Sequence, residues 1–160
     1  MTDQAIDITG WQMTKNVGGV ETLMYTISTS NSIPANGYFL ISEFDKDHSA
    51  LNVDPDIVVG TGTDDDADFE LSDTNLQIKL YQGDWTDSTN LVDTADDGSD
   101  VPAVGLSTLD GSSVYYSMER NAIPGDGADA NNWHTTFADT SSYFDSGLAT
   151  TKGTPKASNQ

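Results

Sequence analysis

The stretch Leu76-Gln77-Ile78-Lys79-Leu80-Tyr81 alternates large apolar side chains with polar ones. Successive side chains of a β-strand point to opposite faces of the sheet, so this pattern predicts a strand with one buried face. A period of two also runs through Val20–Ser28 and Val114–Glu119. No segment keeps a 3.6-residue period over the length of an ordinary helix. The chain is therefore predicted to be all-β.

Turn-forming residues separate the predicted strands at short intervals. Asn16–Gly19 and Pro34–Gly37 both contain residues that tolerate positive φ, and each predicts a tight turn. Several short strands with regular turns favour a sandwich or a barrel. Residues 1–160 are predicted to form a single domain with an irregular tail from about residue 121. The predicted strands are Ala5–Gln12, Val20–Ser28, Gly37–Ser42, Asp56–Val59, Asp68–Leu71, Leu76–Tyr81, Asn90–Ala95 and Val114–Glu119.

The charge and the cysteine content of the chain make several classes of partner and site improbable or impossible. The chain has 26 acidic and six basic residues, for a formal net charge of −20. This charge disfavours direct binding of nucleic acid or of an anionic lipid surface. No apolar run approaches the ~20 residues of a membrane span, so no membrane insertion is expected. The absence of cysteine excludes disulfides, thiolate metal sites and a cysteine nucleophile.

Six segments resemble, in order, the conserved motifs of lamin-tail domains. The Gly-Trp segment opens the series, and the Glu-Arg and Asn-Trp pairs come towards its end. The segments cover nearly the whole chain, which makes their combination more specific than any one of them. They are Ile6–Met13, Ile33–Ser42, Phe69–Tyr81, Leu91–Asp93, Ser117–Arg120 with Asn132–Trp133, and Gly153–Asn159.

The resemblance implies an immunoglobulin-like β-sandwich in a prokaryotic secreted or cell-surface protein. Lamin-tail domains usually begin with two further strands, whereas only Thr2–Gln4 precede the Gly-Trp strand after Met1. Either the chain is cut from a larger protein, or Met1 is a true start and the sheet lacks the family's N-terminal strands. In both cases we expect an open sheet edge, for which Val20–Ser28 is the candidate. An open edge invites a homodimer, unless the segment Ala149–Asn159 folds back over it.

The residues predict no enzyme. His48 and His134 are the two histidines, and no G-x-S-x-G turn is present to supply a serine nucleophile. Asp45–His48 is interpreted as a solvated loop, because nothing nearby completes a ligand set. A small hydrolase stays open only if a pocket brings histidine and aspartate together.

Calcium is the one cofactor that the sequence suggests. Asp64, Asp66 and Asp68 alternate as in an EF-hand loop, although Phe69 and Asn75 replace the glycine and the glutamate that such a loop needs. Hard oxygen ligands on loops suit Ca²⁺ better than softer metals. The alternative is that these acidic loops simply face water, with no cofactor. A second cluster contains Asp93, Asp96, Asp97 and Asp100.

Two further side chains and a predicted core complete the candidates. Arg120 is the single arginine and is expected to brace a carboxylate with a two-pronged hydrogen bond. Trp85 lies in a predicted turn, where it either stacks on a sugar or a partner, or packs over its own loop. The side chains predicted to be largely buried are those of Trp11, Tyr38, Leu76, Ile78, Leu80, Tyr116, Met118 and Trp133.

The sequence thus predicts a non-catalytic interaction module that serves adhesion or the positioning of a neighbouring domain, with a protein or glycan partner. The alternative is a carbohydrate-binding module attached to a secreted hydrolase or nuclease. That alternative needs at least two exposed aromatic side chains on one face, for which Trp85, Tyr115 and Tyr143 are the candidates.

Overall fold

The computed structural model describes residues 3–49, 51, 53–63, 68–69, 71, 76–96, 115–116, 118–121, 123, 125–135 and 151–152. Within these residues the chain is all-β, and the helical segments are three short 3-10 turns at Lys46–His48, Ser88–Asn90 and Ala130–Asn132. None of these segments is long and apolar enough to cross a membrane. The strands are β1 (Ile6–Asp7), β2 (Gln12–Val17), β3 (Val20–Thr26), β4 (Ser32–Ile33), β5 (Ile41–Ser42), β6 (Ile57–Val58), β7 (Leu76–Tyr81), β8 (Leu91–Ala95), β9 (Tyr115–Tyr116), β10 (Met118–Arg120), β11 (Trp133–Thr135) and β12 (Thr151–Lys152).

The largest sheet has four antiparallel strands in the order β3-β2-β7-β8. The pairs β1–β4 and β10–β11 are also antiparallel, whereas β5–β6 and β9–β12 are parallel. Strand β11 and the 3-10 turn before it lie in the stretch after residue 121, where the sequence predicts no strand. The short pairs each cover only two or three residues, and the four-stranded sheet provides most of the ladder.

Glycine geometry explains one difference from the predicted strands and confirms one predicted turn. The predicted strand Ala5–Gln12 is wrong as a single element, because Gly10 has φ 81° and the chain turns between β1 and β2. The predicted hairpin turn is confirmed: Gly18 and Gly19 form a two-residue loop at φ 61° and 88°. Positive φ at both loop positions is the type I′ geometry that matches strand twist.

Two other predicted strands are shorter or absent. Of Gly37–Ser42, only β5 is a strand, since Leu40 donates its N–H to the carboxylate of Asp56 instead of to a ladder partner. The turn before it is confirmed: Asn36 has φ 52°, and Gly37 donates to the carbonyl of Pro34. In the predicted strand 68–71, the described residues Asp68 and Phe69 lie in a turn.

The core consists of two contacting groups of apolar side chains beneath the four-stranded sheet. Trp11 is buried, as predicted. Six other side chains that the sequence predicts to be largely buried are partly buried, and none of the six is exposed: Tyr38, Leu76, Ile78, Leu80, Met118 and Trp133. The side chain of Tyr116 lies outside the described residues. The buried apolar side chains are those of Ile8, Trp11, Met24, Ile27, Val59, Phe69 and Tyr81.

Candidate functional site

Strand β3 occupies one end of the four-stranded sheet, as predicted for an edge. Among the described strands, only β2 pairs with it. Val20 and Leu23 on this strand are 66% and 40% exposed. An edge strand presents backbone N–H and C=O groups that can pair with another chain. The outer side of β3 is therefore the candidate interaction surface, and we call it the β3 edge.

The hairpin geometry decides which backbone groups face outward. Val17 and Val20 flank the two-residue loop, and such a pair is hydrogen-bonded. Because hydrogen-bonded and non-hydrogen-bonded pairs alternate, Glu21 and Leu23 occupy the non-hydrogen-bonded positions against β2. The N–H and C=O groups of these two residues therefore point away from β2, along the β3 edge.

A β-bulge limits the regular part of this edge. Thr14 lies opposite Leu23 and Met13 lies opposite Tyr25, so Met24 is the extra residue. Its side chain is 5% exposed and packs with Val59 and Phe69 in the core. A bulge bends its strand and increases the local twist. Only residues 20–23 thus form a straight edge segment.

The single charge on β3 is neutralised inside the sheet. Oε2 of Glu21 accepts a 2.6 Å hydrogen bond from Nζ of Lys79, and its Oε1 accepts from Thr14 at 2.8 Å and from Tyr81 at 2.7 Å. The Lys79 and Glu21 side chains are 19% and 21% exposed. This network ties the β3 edge to β2 and β7 and leaves the edge without net charge.

The pKa values in this network reflect the same contacts. Burial alone would raise the pKa of Glu21, but the hydrogen bonds from Lys79, Tyr81 and Thr14 outweigh it and lower the pKa below 4.5. Burial, followed by the hydrogen bond to Glu21, raises the pKa of Tyr81 to about 12. At neutral pH the carboxylate is therefore ionised and the phenol is protonated, as the hydrogen bonds require.

The sequence indicates this network only indirectly. Lys79 and Tyr81 alternate with Ile78 and Leu80 and are read as the solvent-facing side of a strand. The partner that buries them, Glu21, lies 58 and 60 positions away along the chain. What the sequence does show is that polar residues stand at every second position of these strands. Because alternate side chains of a strand share a face, paired strands bring such residues together on one face of the sheet.

Arg120 joins the opposite end of the sheet to the β10–β11 hairpin. Its guanidinium donates from Nη2 to Oδ1 of Asp93 at 2.9 Å and from Nη1 to Oδ2, which confirms the predicted two-pronged bond. Nη2 also donates to the carbonyl of Gly125, and the guanidinium carbon lies 5.3 Å from the ring centroid of Trp133. This arrangement combines an ion pair with a cation–π contact.

The predicted calcium ligands divide between described and undescribed residues. Asp93 uses both carboxylate oxygens to accept from Arg120. Asp96 is 9% exposed and has φ 68°, and Asp68 is exposed. Among the residues that the structure describes, no three His, Asp or Glu side chains are close enough to hold a metal ion. The remaining predicted ligands lie outside the described residues: Asp64, Asp66, Asp97 and Asp100.

Trp85 is half-buried in a loop whose conformation is stabilised by hydrogen bonds to two aspartates. Its backbone N–H donates to Oε1 of Gln12 at 2.9 Å. Asp84 accepts from the backbone and hydroxyl of Thr86, and these bonds lower the pKa of Asp84. Asp87 accepts in the same way from Thr89. The loop therefore has a defined conformation, with Trp85 fixed to the start of β2.

No aromatic side chain in the described part of the chain is exposed. The flat aromatic face that a sugar-binding module needs is therefore not present among those residues. Of the three aromatics proposed for that role, Trp85 is half-buried, while the side chain of Tyr115 and all of Tyr143 lie outside the described residues.

The two histidines lie apart and have different surroundings. His48 donates its backbone N–H to Asp45, and its Nδ1 lies 2.7 Å from the same carboxylate, which lowers the pKa of Asp45. Nδ1 of His134 lies 2.9 Å from Oδ1 of Asn121, and its Nε2 lies 3.7 Å from Oε2 of buried Glu119. His48 thus stabilises a surface turn, and His134 belongs to the β10–β11 hairpin.

Comparison with known proteins adds no relative: no family model, no curated protein and no solved structure matches this chain. The described residues thus offer a β3 edge that the Glu21 network supports, and an Arg120 junction at the opposite end of the same sheet.

Proposed function

We propose that this chain is a non-catalytic interaction module of a prokaryotic secreted or cell-surface protein. It has an immunoglobulin-like sandwich related to lamin-tail domains, and it serves adhesion or the positioning of a neighbouring domain. The observation that carries this proposal is the β3 edge, which exposes Val20 and Leu23 and pairs on only one side among the described strands. A protein partner engages it by adding a strand of its own to the sheet.

The Glu21 network supports a binding role because it holds β3 in place against β2 and β7. Glu21 fixes β3 to β7 through Lys79 and Tyr81, so the exposed backbone groups are held in position before a partner arrives. A preorganised edge loses less conformational entropy on binding than a mobile one. The ordered six-segment resemblance to lamin-tail domains supports the assignment to that class of module.

An adhesion experiment with chemically treated cells tests the proposal. Beads coated with the full chain are applied to prokaryotic cells that have been treated with a protease, treated with periodate, or left untreated. We expect protease to abolish bead retention, because the partner is a protein, and periodate to leave it unchanged. Beads coated with heat-denatured chain serve as the control for adhesion through charge alone.

Three results would reject the proposal. Retention that periodate abolishes and protease spares would identify a glycan partner and favour the carbohydrate-binding alternative. Turnover of chromogenic ester, phosphodiester or glycoside substrates by the purified chain would show catalysis and contradict a pure interaction module. Equal retention by native and denatured chains would show that no folded surface takes part.

A further inference from the structure

We propose that the β3 edge pairs with the β3 edge of a second copy of this chain, giving a weak symmetric dimer with a continuous sheet through both molecules. The inference rests on the proposed function, since it names a second copy as a protein that occupies the edge. The two strands run antiparallel and are related by a two-fold axis.

The regular edge segment is short, so few registers are available. Beyond Leu23 the bulge at Met24 turns the strand, and before Val20 the loop begins at Gly19. When two residues lie directly opposite each other in an antiparallel pair, their backbone N–H and C=O groups either both point towards the other strand or both point away from it. The backbone N–H and C=O groups of Glu21 and Leu23 point outward. Each of these residues therefore has to lie opposite either Glu21 or Leu23 of the second copy.

Two of the three symmetric registers are unfavourable. Pairing Glu21 with Glu21 of the second copy places Leu23 opposite Gly19, which lies in the hairpin loop with φ 88° and does not continue the extended strand. Pairing Leu23 with Leu23 brings the bulge of each copy into the ladder. The third register pairs Glu21 with Leu23 in both directions, and Thr22 then faces Thr22 of the second copy across the two-fold axis.

This third register is self-complementary. Each copy donates the Glu21 and Leu23 N–H groups to the Leu23 and Glu21 carbonyl oxygens of the other copy. Thr22 is exposed, and a Thr–Thr pair is a favourable cross-strand neighbour. The carboxylate of Glu21 stays bound to Lys79, Thr14 and Tyr81, so no unpaired charge approaches the interface.

The net charge of the chain determines how the strength of dimerisation depends on salt concentration. Each copy has a formal net charge of −20, so the two repel at long range. The Debye length is ~8 Å at 0.15 M ionic strength, which screens most of this repulsion between two molecules whose centres are farther apart than that. The locally neutral edge therefore associates more tightly as salt is added, whereas binding of a basic partner would weaken.

No strand in the described part of the chain pairs with the outer side of β3. The sequence leaves open that Ala149–Asn159 folds back over it, but the described residues of that segment, Thr151 and Lys152, pair with Tyr115 and Tyr116 of β9. At the opposite end of the sheet, beyond β8, Asp96 donates its N–H to the carbonyl of Gly127. The chain itself therefore contacts the end of β8, whereas none of the described residues pairs with the outer side of β3.

A charge-swap experiment at Thr22 tests both the dimer and its register. Sedimentation velocity of the full chain is measured from micromolar to millimolar concentration at low and high salt. We expect the wild type to dimerise with concentration and more strongly at high salt. Thr22→Lys and Thr22→Glu each place two like charges across the axis and should stay monomeric, while their equimolar mixture should dimerise.

A second pair of variants tests the backbone hydrogen bonds. Leu23→Pro removes the outward N–H without removing a bond to β2, and an edge strand tolerates proline. Leu23→Ala shortens the same side chain but keeps the N–H, so it is the matched control. Loss of two hydrogen bonds per dimer should weaken dimerisation by about thirtyfold in the proline variant relative to the alanine variant. Circular dichroism checks that each variant is folded.

Three results would overturn the inference. They are a wild-type monomer at millimolar concentration in high salt, a dimer that the Thr22 variants leave intact, and a mixture of those variants that fails to associate. Bead adhesion that persists with a strictly monomeric chain would reject the homodimer alone and keep the proposed function. Loss of both adhesion and dimerisation in the folded wild type would reject both.

Discussion

Arg120 and Asp93 form a two-pronged ion pair that joins β10 to β8, with Nη2 and Oδ1 2.9 Å apart. The pair is one contact of a larger junction. The guanidinium also binds the carbonyl of Gly125 and lies over Trp133, whose indole N–H donates to the carbonyl of Gly127 at 2.8 Å. One arginine thereby holds a loop, a hairpin and an edge strand of the sheet together.

Arg120→Lys should destabilise the fold even though it keeps the charge. Lysine cannot make two parallel hydrogen bonds to Asp93 and is a poorer stacking partner for Trp133. We expect a loss of about 1–2 kcal/mol in the free energy of unfolding, measured by urea denaturation.

Lys46→Gln provides the control for that substitution. Lys46 and Asp54 lie 3.8 Å apart, with side chains 44% and 83% exposed, and such surface pairs contribute ~0–1 kcal/mol. If Arg120→Lys cost no more than Lys46→Gln, the geometry of the Arg120 junction would be unimportant for stability.

The cost of Glu21→Gln should depend on pH. The folded pKa of Glu21 lies below the ordinary value of 4.5, so its ionised form contributes stability above that value, and the contribution disappears as pH falls through the folded pKa. At neutral pH we expect a loss of about 2 kcal/mol, because Lys79 and Tyr81 lose their charged acceptor. The difference between variant and wild type should shrink below pH 4.5.

Comparing the variant with the wild type at each pH isolates this effect. Acid also relieves the mutual repulsion of 26 acidic residues, but that relief is common to both proteins. Urea midpoints are measured for both across the acidic range. A difference that stays constant down to strongly acidic pH would mean that the network does not depend on the ionised carboxylate.

Particular residues show how far the sequence predicts this structure. Leu76–Tyr81 and Val20–Thr26 have alternating patterns that reflect local strand geometry, and both are strands in the structure. The pairing of Glu21 with Lys79 is set by tertiary contacts between residues far apart in the sequence. Arg120 was predictable as a brace because one guanidinium among many carboxylates binds one of them, but the choice of Asp93 needed the fold.

Calcium should raise the melting temperature more than a magnesium or sodium salt of equal ionic strength, if the predicted aspartates bind it. The effect should diminish in a chain with Asp64, Asp66 and Asp68 changed to Asn. In the second cluster the informative changes are Asp97→Asn and Asp100→Asn, because Asp93→Asn would also break the pair with Arg120. Equal shifts with all salts would leave screening of the −20 charge as the whole explanation.

Gly127→Ala should be among the most destabilising single changes in the chain. A Cβ at this position would overlap the carbonyl oxygen of Thr94 and approach the guanidinium of Arg120. The first of these is backbone of β8, which cannot move without disturbing its pairing with β7. The segment would have to shift, and the bonds that its carbonyl accepts from Asp96 and Trp133 would be lost.

Gly125→Ala is the matched control for that change, two residues earlier in the same segment. The three atoms nearest to its Cβ would all belong to the side chain of Asn132, which can rotate away at the cost of its hydrogen bond to the carbonyl of Asp126. We expect a loss of about 3 kcal/mol for Gly127→Ala and about 1 kcal/mol for Gly125→Ala, measured by urea denaturation followed by circular dichroism. Equal losses would show that the segment adapts to a Cβ at either position, and that its contact with β8 does not fix the position of the β10–β11 hairpin.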